Sequence, residues 1–179
     1  MSDLMIDIET LGTRPDCVVL TIGAIKFNPE SMDEPFDGFY HRLDVDGQLE
    51  LGRTVDQDTL DWWNTQPAEV RDEALGEDDR TSITQFIKEF NKALVGVKSI
   101  WAQGPTFDFV ILENLYRQTG TPIPWHYWQI RDSRTLFQVV GDPRTPGRDQ
   151  AHNALADCYY QARGVQQIYQ QLGLKKPKN

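Results

Sequence analysis

Cysteine and long apolar runs are both scarce in this sequence, and each shortage excludes a class of protein. The two cysteines, Cys17 and Cys158, lack the spacing of a metal site. We interpret both as small core residues in a reducing compartment. No run approaches the roughly 18 apolar residues that a membrane-spanning helix needs. The N-terminus has no basic segment before its short apolar run, so no signal peptide is expected. These shortages favour a cytoplasmic protein without a membrane partner.

Length and composition predict one globular domain. The chain has 179 residues, of which 39% are hydrophobic and 25% charged, an ordinary balance for a folded domain. No internal repeat interrupts it. We expect a single domain over residues 1–179, with a flexible tail at 173–179 that contains several lysines.

Charge is unevenly distributed along the chain, whose net charge is −9. The first 80 residues hold 20 of the 27 acidic residues and 6 of the 18 basic ones. One interpretation is a solvated acidic face. The other is a basic side for a polyanion beside acidic metal ligands. An acidic protein should not coat long duplexes non-specifically, so short or single-stranded nucleic acids fit better.

Residue patterns predict an α/β fold. Three β-rich stretches joined by short turns indicate an antiparallel meander, over residues 4–9, 17–27 and 36–45. Helical patterns then alternate with two more short strands at 99–102 and 129–132. Helices are expected at 54–66, 67–76, 82–95, 106–118 and 153–172. A further short helix is expected to follow the strand at 129–132 and to end at residue 140. The result is a five-stranded sheet with helices on its faces.

Asp7 and Glu9 are the first residues that suggest chemistry. They lie two apart on an apolar strand, so their side chains share a face, roughly 6–7 Å apart at the backbone. Two like charges there are costly unless a cation or water compensates them. A divalent metal that prefers oxygen ligands is one solution. An edge strand with one wet face is the alternative.

Three later residues extend this pattern. Asp108 lies where a strand gives way to a helix; a favourable interaction with the helix dipole would also explain it. The carboxyl ends of strands are nevertheless where α/β sheets usually bind ligands. His152 precedes the last helix, and Asp157 lies on its first turns beside an apolar stripe. A partly buried carboxylate there needs a partner.

Taken in order, these residues resemble the DEDDh exonucleases of the ribonuclease H-like superfamily. The three matching segments are Asp-Ile-Glu-Thr-Leu-Gly at 7–12, Trp-Ala-Gln-Gly-Pro-Thr-Phe-Asp-Phe-Val-Ile-Leu at 101–112, and His-Asn-Ala-Leu-Ala-Asp at 152–157. The adjacent tryptophans and the Gly-Pro before Phe107 are most similar to a phage and prophage subgroup, near a bacterial 3′–5′ exoribonuclease-like family. The resemblance covers nearly the whole chain and implies a bacterial or phage-encoded cytoplasmic enzyme.

Two departures from the family pattern concern substrate contacts. Leu11 stands where many relatives have a second threonine, and Gly104-Pro105 where many have asparagine or histidine. The tyrosine subclass would need a tyrosine four residues before Asp157. Asn153 occupies that position, so the histidine subclass applies.

The resemblance implies a two-metal-ion 3′–5′ exonuclease that releases nucleoside 5′-monophosphates from single strands. Asp7 would bridge two divalent cations, Mg²⁺ or Mn²⁺, with Glu9 and Asp157 completing one site and Asp108 holding the second. His152 would accept the proton of the attacking water, because histidine changes charge near neutral pH.

Substrate contacts are expected from residues in or near the three segments and from the tryptophan pair: Thr10, Leu11, Gly12, Trp62, Trp63, Gln103, Phe107 and Arg148. Leu11 could wedge against the terminal base. Trp62 and Trp63 point about 100° apart on a helix, so one should pack in the core and the other can face a substrate groove. Two roles are open for four arginines, contact with substrate phosphates or ordinary surface charge: Arg131, Arg134, Arg144 and Arg148. His41 and His126 match no motif.

Two other functions remain open from the sequence. A ribonuclease H-like endonuclease would use the same carboxylates, and a nucleic-acid-binding module could retain an inactive site. The choice between RNA and DNA depends on a local contact with the 2′-hydroxyl that the sequence does not reveal. Relatives are often dimers, so a homodimer is possible.

Overall fold

A five-stranded mixed sheet forms the centre of the computed structural model, which describes residues 2–144 and 152–175. The strands are β1 (Ser2–Thr10), β2 (Val19–Phe27), β3 (Phe36–Arg42), β4 (Val97–Ala102) and β5 (Ile130–Asp132). Their order across the sheet is β3-β2-β1-β4-β5. The first three form an antiparallel meander, and β4 and β5 run parallel to β1. The predicted α/β arrangement, an antiparallel meander with two further parallel strands, is confirmed.

Helices cover both faces of this sheet within the described ranges. They are α1 (Val45–Glu50), α2 (Gln57–Asn64), α3 (Ala68–Leu75), α4 (Ile83–Ala93), α5 (Pro105–Gln118), α6 (Ser133–Val140) and α7 (Ala154–Leu172), with a 3-10 turn at Tyr127–Gln129. None of these helices combines the length and apolarity needed to cross a membrane.

The alternation of side chains along β1 divides the core into two layers. Leu4, Ile6 and Ile8 pack with α4 and α5 on one face, whereas Met5 packs with α7 on the other. Because both faces are covered, the apolar residues in the middle of β1 are fully buried: Leu4, Met5 and Ile6 are each 0% exposed. Asp3, Asp7 and Glu9 share the face of Met5, so every carboxylate of this strand points to the α7 side.

The segment after β3 differs from the prediction. The third strand ends at Arg42 rather than at residue 45, and Val45–Glu50 forms the unpredicted helix α1. Its buried Gln48 accepts a hydrogen bond from the Val19 amide and donates one to the Val19 carbonyl, both at 2.8 Å. A tertiary contact therefore holds this short helix, and a local pattern could not reveal it.

The helix predicted at 54–66 also begins later than expected. Helix α2 starts at Gln57 with Asp56 as its N-cap residue, and Thr54 forms a β-bridge with Cys17 instead. Pairing with the chain before β2 thus keeps Thr54 out of the helix. The last helix ends as predicted, with Gly173 in the left-handed region (φ 63°). The rest of the predicted tail, from residue 176, lies outside the described residues.

Candidate active site

Asp7 and Glu9 lie near the carboxyl end of β1, on the face covered by α7. Asp7 pairs with Gly23 of β2, and Glu9 pairs with Thr21. Gly23 has no side chain, so the first turn of α7 lies directly on the strand. A Cβ atom there would overlap the backbone of Ala154 and Leu155. The Cys158 thiol also donates to the Gly23 carbonyl at 3.3 Å. This close approach brings the start of α7 to Asp7.

Three carboxylates meet as a result. One oxygen each from Asp7, Glu9 and Asp157 all lie within 4.8 Å of one another. Asp157 accepts a hydrogen bond from the His152 amide at 3.0 Å, which fixes the turn leading into α7. Three carboxylates so close form a site suited to a hard divalent cation.

Asp108 approaches the same strand from the other side of the sheet. Gly104, in a left-handed conformation (φ 105°), turns the chain from β4 into α5. The Asp108 side chain, on the first turn of α5, is only 4% exposed. Backbone hydrogen bonds from its own amide and from Ile8 reach this carboxylate. It therefore lies at the part of β1 that carries Asp7 and Glu9.

Burial and mutual repulsion raise the pKa values of these carboxyl groups. Burial raises the pKa of Glu9 to about 8, with further contributions from Asp157 and Asp108. Burial also raises the pKa of Asp108 to about 7, against its backbone hydrogen bonds. For Asp7 the pKa rises well above its usual value, through burial first and then through Asp108, Glu9 and Asp157. The folded protein therefore favours either protons or cations at this site.

His152 lies beside the carboxylates, on the turn that precedes α7. Its backbone has a positive φ of 66°, which is uncommon for a residue other than glycine. Its ring meets the ring of Trp62 edge to face, with centroids 5.1 Å apart. The imidazole is thus positioned by an aromatic side chain from α2 and by a backbone bond to Asp157.

The adjacent tryptophans separate as their helical spacing predicts. Trp63 is 1% exposed, and its indole N–H donates to the Thr10 carbonyl at 2.9 Å. Its inclusion among the substrate contacts is therefore wrong, because it is part of the core. Trp62 is 41% exposed. It lines an open groove of about 330 Å³ together with Glu9 and Phe107.

The residues after Glu9 are buried more deeply than we expected. Leu11 is 6% exposed and packs with Trp63, so its side chain does not project as a wedge into the groove. The Thr10 hydroxyl donates to the Gly12 carbonyl at 2.6 Å. Thr10 and Gly12 still border the groove. Burial of the apolar Leu11 side chain in the core is more favourable than its exposure to solvent in the groove.

Gln103 and the arginines form a hydrogen-bonded group at the end of β4. The Gln103 side chain accepts from Arg144 at 2.6 Å, and its carbonyl accepts from Arg134 at 2.9 Å. The charge of Arg134 also acts to lower the pKa of Asp108, which places this charge near the site. Arg131, in β5, instead donates to the Trp128 and Ile130 carbonyls, at 2.6 and 2.9 Å. Arg148 lies outside the described residues.

Two residues of the site were missed in the sequence. The Gln161 side-chain amide donates to Asp7 at 3.1 Å, and Gln161 is 4% exposed. It follows Asp157 by four residues, a helical spacing that would have placed both on one face of α7. The other is Gly23, whose position between Ile22 and Ala24 in a strand is a known signal of close backbone approach.

Comparison with known proteins shows the family of this chain. A family model described as the 3′–5′ exoribonuclease Rv2179c-like domain matches residues 2–169. The chain belongs to this family. An exodeoxyribonuclease of Enterobacteria phage T4 is 28% identical over 165 residues, covering 78% of this chain and 72% of the phage protein.

Solved structures show the same fold for this Rv2179c-like domain. The nuclease domain of 3′hExo, a DEDDh family member solved with rAMP, superposes with a TM-score of 0.61 at 14% identity, covering 95% of this chain and 92% of the other. Exonuclease X, solved with 5′-overhanging duplex DNA, gives a TM-score of 0.51 at 17% identity, covering 96% and 93%. These likenesses confirm the predicted ribonuclease H-like fold. Membership of the Rv2179c-like family makes the protein a 3′–5′ exonuclease.

Proposed function

We propose that this exonuclease removes nucleoside 5′-monophosphates one at a time from the 3′ end of single-stranded nucleic acid, with two divalent cations held by its carboxylates. The observation that carries the proposal is the meeting of Asp7, Glu9 and Asp157 within 4.8 Å, at one end of the groove lined by Trp62 and Phe107. A cation site and an aromatic groove share Glu9, so a scissile phosphate and a terminal base can bind together.

The residues present fit divalent cations. All the donors are carboxylate oxygens, which Mg²⁺ and Mn²⁺ prefer, and their raised pKa values indicate unrelieved negative charge. Asp7, Glu9 and Asp157 would hold one cation, and Asp108 with Asp7 the second. When bound, the cations would activate the attacking water and stabilise the leaving oxygen.

The side chains of the protein supply the remaining steps. His152 accepts a proton from the attacking water, and Trp62 holds the imidazole through its edge-to-face contact. Trp62 and Phe107 supply apolar surface for the terminal base, which needs no particular sequence. Gln161 fixes the orientation of Asp7 through the 3.1 Å hydrogen bond.

Experiment must decide whether the substrate is RNA or DNA, because the site residues do not distinguish the two sugars. The family is described as an exoribonuclease, whereas the phage relative is an exodeoxyribonuclease. The test therefore offers matched DNA and RNA single strands, labelled at either end, with Mg²⁺, Mn²⁺ or EDTA. We expect stepwise release from the 3′ end that stops in EDTA and in the Asp7→Asn variant. Release only from 5′ ends, or undiminished cleavage in EDTA, would overturn the proposal.

Circular single strands separate the two remaining alternatives. A ribonuclease H-like endonuclease would cut a circle, whereas an exonuclease leaves it intact because it lacks a 3′ end. An inactive binding module would bind both forms and cut neither. A homodimer and a cytoplasmic location stay predictions from the family resemblance, and sedimentation analysis tests the first.

A further inference from the structure

A second cavity lies at the opposite end of β1 from the carboxylates. Its volume is about 590 Å³. We call it the Trp128 cavity; it is lined by residues of the β1 and β4 starts, β5, the 3-10 turn and the end of α7. Its lining includes Asp3, Lys98, Trp128, Arg131 and Lys175.

Aromatic surface is exposed at this cavity. Trp128 is 57% exposed, and its ring stacks on the ring of His126 with centroids 4.1 Å apart and planes 10° apart. This contact limits the orientations that the indole can adopt. An exposed indole offers a platform on which an unpaired base can stack.

Positive charge surrounds the platform although the protein is acidic overall. Lys98, Arg131 and Lys175 line the cavity and are all exposed. The Asp3 carboxylate, fully buried at the floor, accepts a hydrogen bond from the Trp101 indole at 2.9 Å. All three cations are exposed, although one guanidinium nitrogen of Arg131 also donates to the Trp128 and Ile130 carbonyls, at 2.6 and 2.9 Å. The one carboxylate, in contrast, is buried and bonded to an indole. This charge arrangement complements a phosphate backbone.

The position of the cavity relates it to the candidate active site. Asp3 lies four residues before Asp7 on the same face of β1, which corresponds to about 13 Å. Arg131 lies three residues before Arg134, whose charge acts on Asp108. At about 3.4 Å per stacked nucleotide, this distance corresponds to about four stacked nucleotides. A strand longer than this can occupy both.

We propose that the Trp128 cavity binds the single-stranded segment of the substrate upstream of its 3′ end, with a base stacked on Trp128 and phosphates at Lys98, Arg131 and Lys175. The inference rests on the proposed function, because it assigns the substrate of the same enzyme a second point of attachment. The cavity would hold a long strand between successive cleavages, and a dinucleotide would not reach it.

The test compares kcat/KM on a single strand of about 12 nucleotides with kcat/KM on a dinucleotide. In wild type we expect the longer strand to be favoured. Trp128→Ala should lower this ratio by at least about fivefold, because it removes one stacking platform. Trp128→Phe should keep most of the ratio. The double variant Lys98→Glu/Lys175→Glu should lower it further, whereas Lys88→Glu/Lys92→Glu, an equal charge change at exposed positions of α4, should leave it unchanged.

Binding measured in EDTA makes the outcome independent of cleavage. Fluorescence anisotropy of a labelled 12-nucleotide strand should show weaker binding by Trp128→Ala than by wild type. If wild type cleaves nothing, the proposed function fails, and this binding comparison alone decides the inference. The inference would be overturned if wild type and Trp128→Ala showed the same ratio of kcat/KM on the long strand to kcat/KM on the dinucleotide, and also bound the long strand equally well. So would a wild-type dimer that Trp128→Ala converts to monomer without changing the length ratio, because the cavity would then be a protein interface.

Discussion

Gly23 and Ala154 are in such close contact that no side chain fits between them. A Cβ atom on Gly23 would overlap the carbonyl group of Ala154. Since Gly23 pairs with Asp7 across β1 and β2, this contact sets how near α7 and Asp157 come to Asp7. One glycine thus determines whether the carboxylates meet.

Replacement of this glycine should separate the carboxylates. In Gly23→Ala, the first turn of α7 must shift away from the sheet, which moves His152 and Asp157. A displacement of about 1 Å can cost about 100-fold in rate, so we expect at least this loss in kcat/KM. Gly38→Ala is the matched control, because its Cβ would lie 3.5 Å from Leu155 in ordinary contact. Full activity of Gly23→Ala would contradict the proposed role of this contact.

Cation binding should stabilise the protein more strongly as pH rises. The Glu9 pKa is raised from 4.5 to about 8 and that of Asp108 from 3.8 to about 7 in the folded, cation-free protein. A raised acid pKa means that the folded state binds the proton more tightly than the unfolded state does. This contribution to stability is full below about pH 4 and is lost as pH rises to about 8.

Divalent cations replace those protons, so their effect on Tm should grow over the same range. We expect a small rise in Tm with Mn²⁺ near pH 5 and a larger one near pH 8.5, measured by thermal unfolding. Asp7→Asn should lose the rise with Mn²⁺. It should also raise the Tm of the cation-free protein near pH 8.5, because one of the repelling charges is gone. A cation effect that is independent of pH would contradict this account.

The adjacent tryptophans should respond oppositely to truncation. Trp63→Ala should lower the free energy of unfolding by about 3–5 kcal/mol, because it leaves a core cavity and an unpaired Thr10 carbonyl. Trp62→Ala should change stability much less. It should instead lower kcat/KM by about 5- to 100-fold, through lost stacking and a freer His152. Denaturant unfolding and steady-state kinetics on both variants check this contrast, and similar losses of stability would refute it.

His152 should affect the rate but not cation binding. We expect His152→Ala to lower kcat by about 10²- to 10⁴-fold, the usual contribution of a general base. The rise in Tm with Mn²⁺ should persist, since the carboxylates remain. His41→Ala serves as the comparison: that ring contacts Thr81 and Glu89 instead, at 2.8 and 2.9 Å. A His152→Ala enzyme with wild-type kcat would rule out the proton-transfer role.

The local sequence was sufficient for much of the fold. The meander, the two parallel strands and the last helix follow from alternation, helical spacing and the Gly173 stop signal, which act between residues close in the chain. Helix α1 did not follow, because Gln48 is held by the backbone of Val19, far away in sequence. Thr54 was misassigned for the same reason, since its partner is Cys17.

The sequence by itself determined which chemistry the protein can perform. Asp7 and Glu9 must share a face of a strand, and the order in which Asp108, His152 and Asp157 follow identifies the family. Only the tertiary structure decided how these groups meet and what surrounds them. It placed α7 on Gly23, turned Trp63 and Leu11 into the core while leaving Trp62 at the groove, and exposed Trp128 beside three cations. Spacing along a strand or helix is a local property, whereas burial depends on which distant segments pack together.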